Sequence, residues 1–186
     1  MAQQLDPNDI LTAEFHYIAQ AAAQNNEDRA RVATNYLVTF GSFIAAALSA
    51  QSDGLSEAAR QTLNLTFGGI FTLLSVYSIL TVLQLVRLRQ AWIDCVRAMN
   101  KIKDTYAANS ADFPIKEAFL WNTGGIPRPF KWWSISFVQA LQVSLLGGLA
   151  AGTAAEFFQP NLALSMTKGV GVFLAQMILY WWRLRK

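Results

Sequence analysis

The chain has 186 residues, of which 53% are hydrophobic and only 15% charged, with a net charge of +3 at neutral pH. Soluble domains carry roughly 25% charged residues, so the composition argues against an ordinary water-facing surface, and the length suits one domain. The single cysteine, Cys95, excludes an internal disulfide, and the single histidine, His16, gives no basis for a metal site.

The first thirty residues are polar and mildly acidic, with Asp6, Asp9, Glu14, Glu27 and Asp28. They lack a basic stretch leading into a short apolar run, so we expect no removable signal peptide, with the first span acting as its own insertion signal. Asp6-Pro7 reads as a helix start, aspartate at the N-cap and proline in the first turn. Leu11, Phe15, Ile18 and Ala22 then recur at helical spacing and mark one apolar face. Asn25-Asn26, followed by Glu27 and Asp28, resembles a fresh cap, which predicts a kink or short break there.

An uncharged run over 32–50 is long enough to cross a hydrocarbon core of about 30 Å. A polar turn over 51–54 follows, and Ser56 with Glu57 starts the next helix. The second spanning run covers 63–86, and the helical pattern continues without a stop to about Ala108, so a helix of this length projects well past a bilayer. Its continuation carries Leu85, Leu88, Trp92, Cys95, Met99, Ile102 and Tyr106 at alternating spacings of three and four. That is a coiled-coil-like seam which needs a partner. We expect the N-terminal helix, or a neighbouring subunit, to supply it.

Asn109, Ser110, Asp112 and Pro114 end the helix. A short helical piece is expected over 114–121 and an irregular loop over 122–129. The third span is read as 132–157. The fourth is 162–182, after a turn at Gln159-Pro160-Asn161. The fold class is therefore all-α and polytopic. Residues 1–31 form a cytoplasmic N-terminal helix, 32–87 a first transmembrane hairpin, 88–131 a cytoplasmic helix and loop, 132–182 a second hairpin and 183–186 a basic cytoplasmic tail.

Lysine and arginine in cytoplasmic flanks fix orientation. With both termini inside, thirteen of the fifteen basic residues lie on the inner side, and only Arg60 and Lys168 lie toward the outer. Trp132, Trp133, Tyr180, Trp181 and Trp182 then fall together at the inner interface, where amphipathic rings prefer to sit. Short loops suggest a bacterial inner membrane.

Three sets of residues are candidates for function. Leu88, Trp92, Cys95, Met99, Ile102 and Tyr106 form the candidate interface. Ser144, Gly148 and Gly152 form a small-residue stripe that lets helix backbones approach closely. Gln139, Gln142 and Lys168 are polar groups within spans. We read the glutamines as interhelical hydrogen-bonding groups, with a pore lining as the alternative. We read Lys168 as snorkelling to the outer interface, with Glu156 a candidate partner. The basic residues of the projecting helix, Arg87, Arg89, Arg97, Lys101 and Lys103, are read as a topology signal on a solvated face.

No nucleophile–base pair, metal-ligand spacing or phosphate loop appears, so we expect no catalysis, no cofactor and no nucleic acid partner. The partners expected are the lipid bilayer and a docking protein or a second copy. The first reading is an interaction or accessory subunit that docks through its cytoplasmic helices. The second is a small homo-oligomeric channel or membrane-permeabilising effector.

Overall fold

The structure is a computed structural model that describes residues 6–50, 55–109 and 125–185. The expected turn at 51–54, helical piece at 114–121, first part of the 122–129 loop and final Lys186 lie outside the described residues. Among the described residues the regular structure is all-helical, in four long helices: α1 Pro7–Ser49, α2 Glu57–Asn109, α3 Ile135–Phe158 and α4 Leu162–Arg185. Each is long and apolar enough to cross a membrane. At 1.5 Å per residue, the 43 residues of α1 and 53 of α2 have helical rises summing to about 65 and 80 Å, more than a hydrocarbon core of about 30 Å requires.

The helix starts follow local chemistry. Asp6 Oδ1 accepts from the Asn8 N–H at 2.9 Å, and Ser56 Oγ accepts from the Ala59 N–H at 3.3 Å. Asn161 Oδ1 accepts from the Leu164 N–H at 3.1 Å. Each satisfies an N–H that the helix itself leaves unpaired. The third helix begins later than the hydropathy suggests. Ser134 is its N-cap, accepting from the Phe137 N–H, so Trp132 and Trp133 lie in a turn before it. Trp133 has φ 58°, an unfavourable backbone for a bulky residue. Its ring meets Phe137 edge-on, with centroids 6.0 Å apart.

The predicted break at Asn25-Asn26 is absent: α1 runs through both residues. Asparagine costs less than about 0.7 kcal/mol in a helix interior. Asn25 also turns its amide outward, donating to Cys95 Sγ at 3.8 Å, rather than competing for its own backbone.

The chain divides into two compact units. One comprises Met1–Asp28 and Arg87–Pro129. Within it, Tyr106 meets Thr12 and Asn8, Lys103 lies over the Phe15 ring, and Cys95 meets Asn25. The numbers fall on α2 as they rise on α1, so the two segments run antiparallel. The face of α1 used is the predicted one, with Leu11 and Phe15 half-buried and Ile18 and Ala22 buried.

The other unit comprises Arg29–Val86 and Phe130–Lys186. It has two apolar clusters. In one, Tyr36, Val82, Leu85, Phe137, Val143 and Tyr180 draw on all four helices. In the other, Phe40, Phe71, Leu74, Ala150 and Ala154 pack with Phe67 and Phe157, and Phe71 stacks on Phe157 at 6.0 Å. The outward residues of this unit are also apolar, among them Leu65, Leu73, Leu80, Leu149, Leu162, Val170 and Ile178. A surface this apolar suits hydrocarbon better than water.

Candidate functional site

A polar layer lies in register between the two apolar clusters of the second unit. Its members come from four helices: Tyr36 on α1, Ser75 and Ser78 on α2, Ser144 and Gly147 on α3, and Gln176 on α4. Gln176 Nε2 donates to Ser78 Oγ at 2.6 Å, and Ser78 Oγ donates to the Ser75 carbonyl at 2.6 Å. The Tyr36 hydroxyl donates to the Leu74 carbonyl at 3.2 Å.

Gly147 makes the approach of these groups possible. A Cβ there would collide with the Ser78 hydroxyl and stand 2.8 Å from Gln176 Nε2. Two members are incompletely satisfied. Among the described residues, Gln176 Oε1 and Ser144 Oγ are buried without a hydrogen-bond partner. A buried unpaired group costs on the order of 1–3 kcal/mol, so these two atoms are where the layer has polar capacity to spare. Hydroxyls and an amide hold helices and water. They offer neither a general acid nor an activated nucleophile at neutral pH.

The small-residue stripe of α3 lies beside this layer. A Cβ on Gly148 would lie 2.7 Å from the Gly169 carbonyl oxygen, and one on Gly152 would lie 3.0 Å from that of Ser165. Both glycines therefore admit the backbone of α4. Ser144, the third member of the predicted stripe, is fully buried in the polar layer itself.

The predicted intramembrane polar residues separate. Gln139 is half-buried with its Oε1 turned inward and, among the described residues, unpartnered. Gln142 is exposed on the outer side of α3, and Lys168 is exposed on α4. The anticipated Lys168–Glu156 pair is not formed among the described residues; Glu156 instead accepts from Ser165 Oγ at 2.7 Å. One turn and a half of α4 separates Lys168 from its start, and a lysine stem that points outward is free to follow the surface.

The seam of α2 is covered rather than open. Ile102 is buried, while Leu88, Trp92, Cys95, Met99 and Tyr106 are half-buried. The fully buried register lies beside the predicted one, at Arg89, Ile93, Val96 and Asn100. Cys95 and Tyr106 turn toward α1. Arg89 turns toward the segment before α3, donating from Nε to the Pro129 carbonyl and from Nη2 to the Arg128 carbonyl, each at 3.3 Å. Its guanidinium also lies 4.6 Å above the Trp92 ring.

Arg89 is thus no solvated topology charge. Arg29 is likewise buried, donating to Ser136 Oγ at 2.6 Å in the first turn of α3. Arg87, Arg97 and Lys101 do remain exposed. A reading of apolar periodicity skips arginine and asparagine, so it settles on the flank of the buried face. The signal available was the unbroken 3-4 spacing of 89, 93, 96 and 100 once polar residues are admitted. Compared with family models, curated proteins and solved structures, the chain matches none.

Proposed function

We propose that the chain is a non-enzymatic membrane protein that crosses the bilayer four times as two hairpins, with both ends in the cytoplasm, and serves as an accessory subunit. In this reading Pro7–Asp28 and Arg87–Asn109 form its cytoplasmic helical part, and a bacterial inner membrane is its setting. The observation that carries the reading is the unbroken run of α2 from Glu57 to Asn109. Its first half presents Leu65, Leu73, Val76 and Leu80 outward, whereas its last half presents Arg87, Asp94, Arg97 and Lys101. One continuous helix is thus apolar-coated in its first half and charged in its second, a form suited to linking a membrane anchor to an aqueous partner. Because the apolar seam is occupied within the chain, the partner would read the charged outer face instead.

Cysteine accessibility tests this. In a Cys95→Ser background, Ser56→Cys should react with a membrane-impermeant maleimide from outside intact cells, whereas Thr105→Cys should react only after permeabilisation. The reverse pattern would overturn the topology. Paired Arg97→Glu and Lys101→Glu changes should shrink a purified complex while leaving insertion intact; an unchanged complex would remove the charged face as the docking surface.

The second reading, a homo-oligomeric channel, is favoured by the outward Gln142 and Lys168. The interior of the second unit is filled by Phe71, Phe157 and the Gly148–Gly169 approach, so any pore would form between copies. Ion flux in liposomes that falls in Gln142→Leu would favour this reading.

A further inference from the structure

We infer that the end of the second unit where α4 stops binds an anionic phospholipid, its phosphate held by Lys131 and Arg185 and its acyl chains lying along α4. The inference rests on reading this unit as membrane-spanning. Ring contacts bring the two cations to one end. Phe130, next to Lys131, meets Tyr180 with centroids 6.3 Å apart, and Tyr180 and Leu184 are buried in one cluster. Lys131, Arg183 and Arg185 are all exposed there. The described acids of this unit are Glu57, in the first turn of α2, and Glu156, in the last turn of α3. Both stand at the opposite end.

The same end carries bare aromatic rings. Four of the six tryptophans are here, with Trp132 64%, Trp133 78%, Trp181 36% and Trp182 46% exposed. The Arg185 guanidinium lies 3.9 Å over the Trp181 ring. A guanidinium seated on a ring is held in place while its edge still presents N–H groups to an oxyanion. The charged part of α2 makes the contrast: Arg97 pairs with Asp94 at 3.0 Å, and Trp92 is half-buried.

These two features together select the occupant. An inorganic phosphate or an acidic loop would satisfy the cations and leave the indoles in water. Hydrocarbon alone would cover the indoles and leave the cations unmatched. A molecule with an anion at one end and hydrocarbon at the other meets both. Below Trp182 the exposed residues Ile178, Leu174 and Val170 follow at intervals of four, an apolar track of about 18 Å. Half of a hydrocarbon core of about 30 Å is about 15 Å, so the track matches the chains of one leaflet. Tryptophan prefers headgroup level, and basic clusters between spans take anionic headgroups.

Lipid titration of the delipidated protein in mild detergent, read by native mass spectrometry, tests this. Dimyristoyl phosphatidylglycerol should bind its first site about ten-fold more tightly than dimyristoyl phosphatidylcholine, as expected for two basic side chains. Lys131→Gln with Arg185→Gln should abolish that difference. Arg97→Gln with Lys101→Gln, which removes the same charge from α2, should preserve it. Equal affinities for the two lipids, equal losses in the two double variants, or glycerol phosphate binding as tightly as the lipid would overturn the inference. If the first double variant does not fold, Trp181→Leu, which keeps every charge, should weaken phosphatidylglycerol binding about two-fold or more; unchanged binding there would overturn it equally. Extraction by alkaline carbonate separates the two ways of failing. Release of the chain would overturn the membrane reading together with the inference, whereas retention without a lipid preference would overturn the inference alone.

Discussion

Gln176 on α4 donates its amide N–H to Ser78 on α2 across 2.6 Å, and both side chains are buried. Gly147 on α3 gives them the space to meet. Three helices are therefore tied at one level by a hydrogen bond and the absence of a side chain.

The two partners of that bond should respond unequally to removal. Interhelical hydrogen bonds in membranes contribute about 0.6 kcal/mol on average. Gln176→Leu removes the bond and also the unpartnered Oε1, so its net cost should stay within about 1 kcal/mol. Ser78→Ala leaves the whole Gln176 amide buried and unpaired, which should cost about 1–3 kcal/mol. Unfolding of the purified protein in mixed detergent micelles reads the difference. If Gln176→Leu proved the more damaging, the bond would be worth more than the orphaned oxygen costs.

The glycines of the second unit give a paired prediction. Gly148→Ala puts a methyl group 2.7 Å from the Gly169 carbonyl. Backbone cannot yield as a flexible side chain does, so the α3–α4 contact should lose about 1–3 kcal/mol. Gly171 is exposed, and a methyl group added there would meet nothing within 4 Å. Gly171→Ala should be neutral or stabilise by up to about 1 kcal/mol through helix propensity. Thermal midpoints of the two variants in one detergent would decide it; equal midpoints would mean that α4 shifts to accommodate the methyl.

Hydropathy made the four apolar runs legible, and cap chemistry made the starts at Asp6 and Ser56 legible, whereas Asn161 was legible only as part of a turn. The late start of α3 was hidden because Trp132 and Trp133 are apolar, although the decisive residue is the Ser134 cap. The continuity of α1 was hidden because Asn25 has the composition of a break, yet its amide is engaged by Cys95 on another helix. The polar layer was only half legible. Ser144 reads as a packing residue, and nothing in linear spacing joins it or Gln176 to Ser78. Only the approach of three helices does that.

The register of the α2 seam can be checked directly. Ile93 is 2% exposed, whereas Met99 is half-buried on the flank. Truncating a fully buried isoleucine to alanine costs about 2–5 kcal/mol, so Ile93→Ala should destabilise the first unit more than Met99→Ala. Hydrogen exchange of peptides from 87–109 reports this unit separately from the spans. Greater loss of protection in Met99→Ala would restore the register suggested by apolar spacing.

Arg89 separates two roles that a positive charge near a membrane can have. A topology signal needs only the charge, so Arg89→Lys would be silent. The observed arginine does more: two nitrogens of one planar group reach the successive carbonyls of Arg128 and Pro129, while the plane covers Trp92. A lysine ammonium is a point charge without that fork or plane. Arg89→Lys should therefore loosen the first unit by about 1–3 kcal/mol, as expected for hydrogen bonds from a charged donor, while insertion stays normal. A double-mutant cycle with Trp92→Leu isolates the ring contact, for which about 0.5–2 kcal/mol of coupling is expected. Unchanged exchange protection in Arg89→Lys would return Arg89 to the role of a simple charge.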